Sequence, residues 1–301
     1  MEQTAHVRMD VKSLDEKFAH LAKNHPCLGR APHKGRLHLP VSPACNIKCR
    51  FCTRAFNAIE ERPGVTRRVL TVAEAPEAID RALRLCPEIS VVGVAGPGDS
   101  LATGHALACF RAMHEKYPDL LACLSTNGLL LPDHVEEILR AGVRTVTVTV
   151  NAVDPEIGAR IVEKVSYKGK LYTGTEGAEI LIDNQLRGIR LLAERDVLVK
   201  INTVLIPEIN GGHIGAIAAA TAERGAAIIN IIPLIPQGDF LEMEPPTCAE
   251  INTAREAAEA VLPVFRHCQH CRADACGRLG GQDVSDQLFE NLSAENTFSH
   301  G

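Results

Sequence analysis

Six times along the chain a short apolar, β-branched run gives way to a stretch with helical spacing, and few folds accept that pattern. The runs cover 37–41, 89–94, 120–125, 145–150, 198–205 and 228–232; helical stretches cover 73–85, 104–116, 133–141, 176–194, 212–224 and 245–265. Strand followed by helix, repeated, predicts a parallel sheet with its connecting helices packed outside. Runs such as Val91-Val92-Gly93-Val94 are apolar without a break, as strands covered on both faces are. Six units are too few for a closed eight-unit barrel. The expected class is therefore α/β, an open partial (βα)6 TIM-like barrel with function at the carboxyl ends of its strands. The barrel is expected over 36–240, with extensions over 1–35 and 241–281. A polar tail over 282–301 lacks periodicity and reads as mobile.

Composition narrows the function classes. The formal charge of −5 gives no basic footprint for nucleic acid. No apolar run is long enough to span a bilayer, because the Ala/Ile-rich stretch over 214–235 is cut by Glu223 and Arg224. The amino terminus has no signal-peptide apolar region, so a cytoplasmic protein is expected. Eleven cysteines in a reducing compartment then read as metal ligands or catalytic thiols rather than disulfides.

Three of them, Cys45, Cys49 and Cys52, form a C-x3-C-x2-C group just after the first strand. A four-iron cluster is normally held by four thiolates. Three closely spaced ones leave one iron open, and an open iron can bind a ligand that is then changed chemically. Zinc sites favour paired C-x2-C or Cys/His knuckles, and bacterial ferredoxins repeat C-x2-C-x2-C before Cys-Pro. Neither spacing is present.

Further candidates sit at strand ends. Gly96, Pro97, Gly98 and Asp99 follow the second strand, where glycines let backbone approach a ligand and Asp99 suits an ammonium group. A plain turn has the same composition. Ser125 and Asn127 close the third strand, Asn151 closes the fourth, Asn202 lies in the fifth and Pro233 follows the sixth. These suit ribose hydroxyls or a carboxylate, although Asn127-Gly128 is equally turn chemistry. Cys268 and Cys271 are spaced C-x2-C beside His267 and His270, common to zinc and iron–sulfur ligation. His25-Pro26-Cys27 precedes the triad, and Cys123 lies two residues before Ser125, where its alternation leaves core or site open. Cys86, Cys109 and Cys248 read as small buried hydrophobes.

The triad, with Phe51 before its last cysteine, resembles the radical S-adenosylmethionine (SAM) superfamily. There the open iron chelates SAM and an electron from the cluster releases a 5′-deoxyadenosyl radical. The wider set resembles the NifB family of nitrogenase cofactor-biosynthesis proteins. It comprises His25-Pro26-Cys27, the triad, Glu60-Glu61-Arg62-Pro63-Gly64-Val65, Ala95-Gly96-Pro97-Gly98-Asp99, Cys123 through Gly128 and Cys268 through Ala275. Asp154-Pro155-Glu156-Ile157-Gly158-Ala159 and Gly177-Ala178-Glu179-Ile180-Leu181-Ile182 look like further family segments. The match runs from about residue 24 to 281, and the chain looks like the short, stand-alone form.

This resemblance implies a SAM-binding four-iron cluster on Cys45, Cys49 and Cys52, and two precursor clusters that are joined into a core of eight irons, nine sulfurs and a carbide. One SAM donates a methyl group; a second yields the radical that begins its conversion to carbide. Cys27 and Cys123, with His25, would hold one precursor cluster, and Cys268 and Cys271 the other; the extra thiol Cys276 is either a third ligand there or simply packed. Glu60 would be a further ligand or proton acceptor. The two extensions would then be cluster-binding. The implied partners are an iron–sulfur cluster donor, a cofactor carrier and a reductant such as ferredoxin or flavodoxin, with no nucleic acid or membrane. Other readings are a peptide-modifying radical SAM maturase, an electron-transfer iron–sulfur protein, and a zinc-stapled module at Cys268, Cys271 and Cys276.

Overall fold

The computed structural model describes residues 17–28, 31, 33–289 and 299–300. Much of the amino-terminal extension, and positions 290–298 and 301 of the tail, lie outside the described residues.

Strands Gly35–His38 (β1), Ile89–Val94 (β2), Leu121–Thr126 (β3), Val143–Thr149 (β4), Leu198–Leu205 (β5) and Ile228–Pro233 (β6) lie side by side in chain order. Each is parallel to the next. Helices Ala75–Leu85 (α1), His105–Lys116 (α2), Leu131–Arg140 (α3), Gly174–Ala193 (α4), Ile214–Glu223 (α5) and Cys248–Glu259 (α6) follow the six strands in turn. The periodicity located all six strands within a few residues, and the boundaries moved where caps decide them. Thr247 and Glu250, for instance, form a reciprocal capping box that starts α6.

Successive strand residues face opposite ways, and the two faces differ in chemistry. On one face Leu37, Val92, Leu124, Val146, Ile201 and Ile229 are at most 1% exposed. They share a core with Ile79 of α1, Phe110 and Met113 of α2, Ile138 of α3, Leu192 of α4 and Ile217 of α5. Each such side chain contributes roughly 1.5–3 kcal/mol by leaving water. The alternate residues of all six strands, among them His38, Gly93, Cys123, Thr147, Lys200 and Asn230, line a single cavity of about 340 Å³. Only a sheet curled around that cavity puts one face of every strand there, which makes the architecture an open partial barrel. The expectation of strands apolar on both faces is thus corrected: the inner face is largely polar. Even the cross-strand pair Asn202 and Asn230 meets there, with Asn230 Nδ2 donating to Asn202 Oδ1 at 3.1 Å.

The extensions add elements too short to carry a periodic signal. Cys276–Arg278 (β7) runs antiparallel to β1, pairing Leu37 with Cys276. Ile47–Cys49, Val162–Tyr167 and Lys170–Tyr172 form a separate three-stranded sheet. In place of the featureless tail expected from 282, Ser285–Phe289 (α7) is helical, and Leu288 and Phe289 are buried with the α1 side of the core. Beyond it, Ser299–His300 pairs in parallel with Ala44–Cys45. Among the described residues no helix is long and apolar enough to cross a membrane.

Candidate iron–sulfur and SAM site

The triad leaves the carboxyl end of β1 on a loop fixed by its backbone. Cys45 ends the short strand Ala44–Cys45, Cys49 ends Ile47–Cys49, and the Cys52 N–H donates to the Cys49 carbonyl at 3.1 Å. Cys49 lies within electrostatic reach of both Cys45 and Cys52, and Cys45 within reach of Cys52. Burial pushes Cys45 up to about 12 and Cys49 well above the usual thiol range, so without metal these side chains stay protonated. Iron takes thiolate, and its binding here would release protons. Cys52, the exposed member, also lines the barrel cavity.

The loop after β2 holds this triad in place. Gly98 N–H donates to Ser42 O at 2.7 Å and Asp99 N–H to Ala44 O at 2.8 Å. A Cβ on Gly98 would overlap the Ala44 carbonyl and come within 2.9 Å of Ser42 O. Only glycine allows that approach. Gly98→Ala is therefore expected to cost about 3 kcal/mol or more in denaturant unfolding and to displace the Cys45 backbone. Asp99 does not face the cavity. Its buried carboxylate accepts from Leu101 N–H (2.9 Å), Asn127 N–H (2.6 Å) and the Thr126 hydroxyl (2.9 Å), tying this loop to the end of β3. Burial nevertheless raises its pKa.

Asn127 continues the buttress. Its Nδ2 donates to Asn46 Oδ1 at 2.6 Å and stands 3.8 Å from Cys45 Sγ. Asn151 Oδ1 accepts from Val204 N–H at 2.9 Å. Both asparagines border a smaller pocket beside Cys49. Pro97, Ser125, Asn202 and Pro233 do line the main cavity, whereas Gly96, Gly98 and Asp99 support it from behind. Glu60 is exposed, and its carboxylate is held by Arg62 Nε and Asn57 Nδ2, each at 2.6 Å. The Arg62 guanidinium keeps it below the usual carboxylate range.

The outer thiols converge. Cys27, Cys123, Cys268 and Cys271 line the same cavity, Cys123 being turned inward from β3. Burial pushes Cys27 up to about 12, with Cys271 and Cys123 close enough to add to the effect. Cys276 is elsewhere: it is fully buried in the hydrophobic core beside Leu37, which removes it from a ligand set with Cys268 and Cys271 and dismantles the zinc staple. Cys86 and Cys109 are buried as expected, but Cys248 is exposed at the start of α6. Among the described residues no three His, Cys, Asp or Glu side chains gather on a point that would hold one ion. The thiols instead stand around a space.

His25, His38 and His270 border that space. His38 Nδ1 lies 3.0 Å from the Arg272 carbonyl, which can only accept, so Nδ1 carries the proton and Nε2 keeps its lone pair. His25 is arranged the other way. Its Nδ1 accepts from Cys27 N–H at 3.2 Å, leaving the proton on a buried, unpartnered Nε2. Burial lowers His25 to about 3 and His38 to about 4, so both rings are neutral at pH 7.

The radical SAM superfamily profile matches residues 39–220. The FeMo cofactor biosynthesis protein NifB of Methanocaldococcus infernus is 45% identical over 93% of this chain and 93% of its own. That of Methanocaldococcus jannaschii is 46% identical over 96% and 99%. The chain belongs to the NifB family. The Bradyrhizobium diazoefficiens NifB, 43% identical over 89% of this chain, is matched over 56% of its own length. A radical SAM methyltransferase from Sphaerobacter thermophilus shares the fold, with a TM-score of 0.55 at 18% identity over 77% of this chain and 66% of that one. So does Streptococcus suis SuiB bound to S-adenosylmethionine, with a TM-score of 0.53 at 13% identity over 94% and 57%.

In this NifB-family chain several site residues escaped the sequence reading. His38 and Lys200 sit inside apparently apolar strands, and the odd polar residue at an inward position was their signal. Gly93 makes room for His38: a Cβ there would stand 3.2 Å from the imidazole Cδ2. Arg36, 5% exposed, donates to Gly277 O at 2.7 Å and to Cys271 Sγ at 3.3 Å. Arg272 and Asp274, inside the Cys268 motif, form a buried pair at 2.8 Å. Arg272 also donates to the Glu60 and Asn57 carbonyls at 2.6 and 2.7 Å. That motif is thus both a thiol carrier and a knot.

Proposed function

We propose that this chain takes two four-iron clusters as substrates and joins them, with carbon from SAM and an added sulfide, into the eight-iron, nine-sulfur, carbide-centred precursor of the nitrogenase cofactor. The carrying observation is that thiols from both outer groups and Cys52 of the triad line one cavity inside the barrel. Two substrates and the SAM site need a common space, and the curled sheet encloses one.

The triad fits a SAM-site cluster: three neighbouring thiols on a loop pressed against Gly98, with no fourth cysteine beside them in the sequence. When bound, that cluster supplies the electron that cleaves SAM. Cys45, Cys49 and Cys52 hold it, and Asn127 orients Cys45 through Asn46. Ser125, Asn202 and Pro233 form the wall against which SAM lies, while Asp99 and Asn151 fix loops. Cys27 and Cys123 take one substrate cluster, with His38 as the imidazole, because its Nε2 lone pair is free as folded. His25 would first have to move its proton to Nδ1 and give up the Cys27 N–H. Cys268 and Cys271 take the other. Glu60 could act as a ligand or proton acceptor only after its carboxylate leaves Arg62 and Asn57. Outer sites with few protein ligands suit substrates that must be altered and leave. Clusters arrive from a donor protein, electrons from a ferredoxin or flavodoxin, and the product departs on a carrier.

Anaerobic reconstitution followed by SAM and dithionite tests this reading. It expects about twelve irons per chain, four for each cluster, with both S-adenosylhomocysteine and 5′-deoxyadenosine formed. 5′-Deoxyadenosine alone would point to a maturase, and neither product to electron transfer. His38→Ala is expected to remove the nitrogen coupling from one cluster's pulsed electron paramagnetic resonance (EPR) spectrum, and His25→Ala to leave it. The reverse result would return the ligand role to His25.

A further inference from the structure

Lys200 stands on the inner face of β5 and is 6% exposed. Its Nζ donates to the Cys27 carbonyl at 3.0 Å and lies 3.8 Å from the centroid of the Phe265 ring. An ammonium has three donors, and one is spent. Among the described residues no carboxylate pairs with it. Burial lowers its pKa, and the titratable groups within its reach are the thiols Cys27, Cys268, Cys123 and Cys271, two from each outer group, all on the same cavity. The other buried cations on this cavity are already committed, Arg36 to Gly277 O, Cys271 Sγ and Asp283, 3.6 Å away, and Arg62 to the Glu60 carboxylate and Thr53 O.

A buried, uncompensated ammonium is costly unless an anion joins it. A four-iron, four-sulfur core is itself cationic; two protein thiolates neutralise it when oxidised and leave it anionic when reduced, and two reduced clusters in one cavity repel each other. We propose that Lys200 is a positioning residue for the two substrate clusters, its ammonium supplying the positive charge they share while they sit side by side. This rests on the two-substrate reading above. A lesser role, merely pinning the Cys27 backbone, would need a donor but no charge.

Lys200→Met, Lys200→Gln and Lys200→Arg separate these roles, since glutamine keeps a donor without charge and arginine keeps the charge. Each variant is reconstituted anaerobically, its iron is counted, and its clusters are titrated potentiometrically by EPR. The triad cluster's SAM-dependent spectrum serves as the fold control. Lys200→Met and Lys200→Gln are expected to keep that cluster but bind outer clusters about tenfold more weakly, with the remainder titrating at more negative potential. Lys200→Arg restores both. Lys200→Gln loading like wild type with unchanged potentials would overturn the proposal, as would Lys200→Arg failing as badly as Lys200→Gln. About four irons in wild type would remove the two-substrate reading and this proposal together. About twelve in both wild type and Lys200→Met, at unchanged potentials, would overturn the proposal alone.

Discussion

Cys49→Ala is expected to abolish SAM cleavage by at least about a thousandfold, roughly 4 kcal/mol of barrier, while the barrel stays folded. Cys49 is the member of the triad with both other thiols in electrostatic reach, and it borders the pocket next to Asn127. Two thiolates cannot hold three corners of a cluster, and no histidine or carboxylate of the loop stands ready to replace the third. Its side chain is only half-buried and outside the main α/β core, so little packing is lost. Chromatography of 5′-deoxyadenosine after reduction, beside circular dichroism, checks both halves of the expectation. Retained cleavage would show that the triad is not the SAM-binding ligand set.

The second large effect lies in the buried pair inside the Cys268 motif. Arg272 is 2% exposed, and Asp274 is fully buried. Arg272 pairs with Asp274 and caps the Asn57 and Glu60 carbonyls; Asp274 also accepts from Arg67 N–H at 2.7 Å and Arg67 Nη1 at 3.1 Å. Arg272→Met leaves a carboxylate in the interior with half its partners and two carbonyls unsatisfied. Breaking a buried pair from one side costs about 3–5 kcal/mol, and unfolding of the metal-free chain should show that loss. Because the Arg272 carbonyl also orients His38, and Cys271 is its neighbour, iron at the outer sites should fall as well. Replacing both members, as Arg272→Met with Asp274→Leu, should recover part of the stability but not the lost carbonyl bonds. A single variant within about 1 kcal/mol of wild type would mean that the knot is ornamental.

The strand–helix repeat was legible because its periods are long enough to register. β2 and β5 fall on the runs read from sequence, since neither end needed a cap to define it. What periodicity cannot show is which face turns inward in a curled sheet. Cys123 was ambiguous for that reason, and Lys200 and His38 passed as strand residues. Asp99 was misjudged on different grounds: a carboxylate beside glycines suits an ammonium, but backbone N–H groups reached it first. β7 and the helix at Ser285–Phe289 were missed because three or five residues carry no usable pattern, and long-range contacts with β1 and α1 create them. Cys276 stayed open between ligand and packing because nearness in sequence to Cys271 does not show the turn that sends it into the core.

Everything proposed for the barrel depends on the triad cluster keeping one iron free for SAM. EPR spectroscopy of the reduced, reconstituted chain with SAM carrying nitrogen-15 at its amino group tests this most directly. The account predicts a nitrogen-15 coupling that appears only with SAM and vanishes in Cys49→Ala. A cluster whose spectrum is indifferent to SAM, every iron already bound by a side chain, would contradict it.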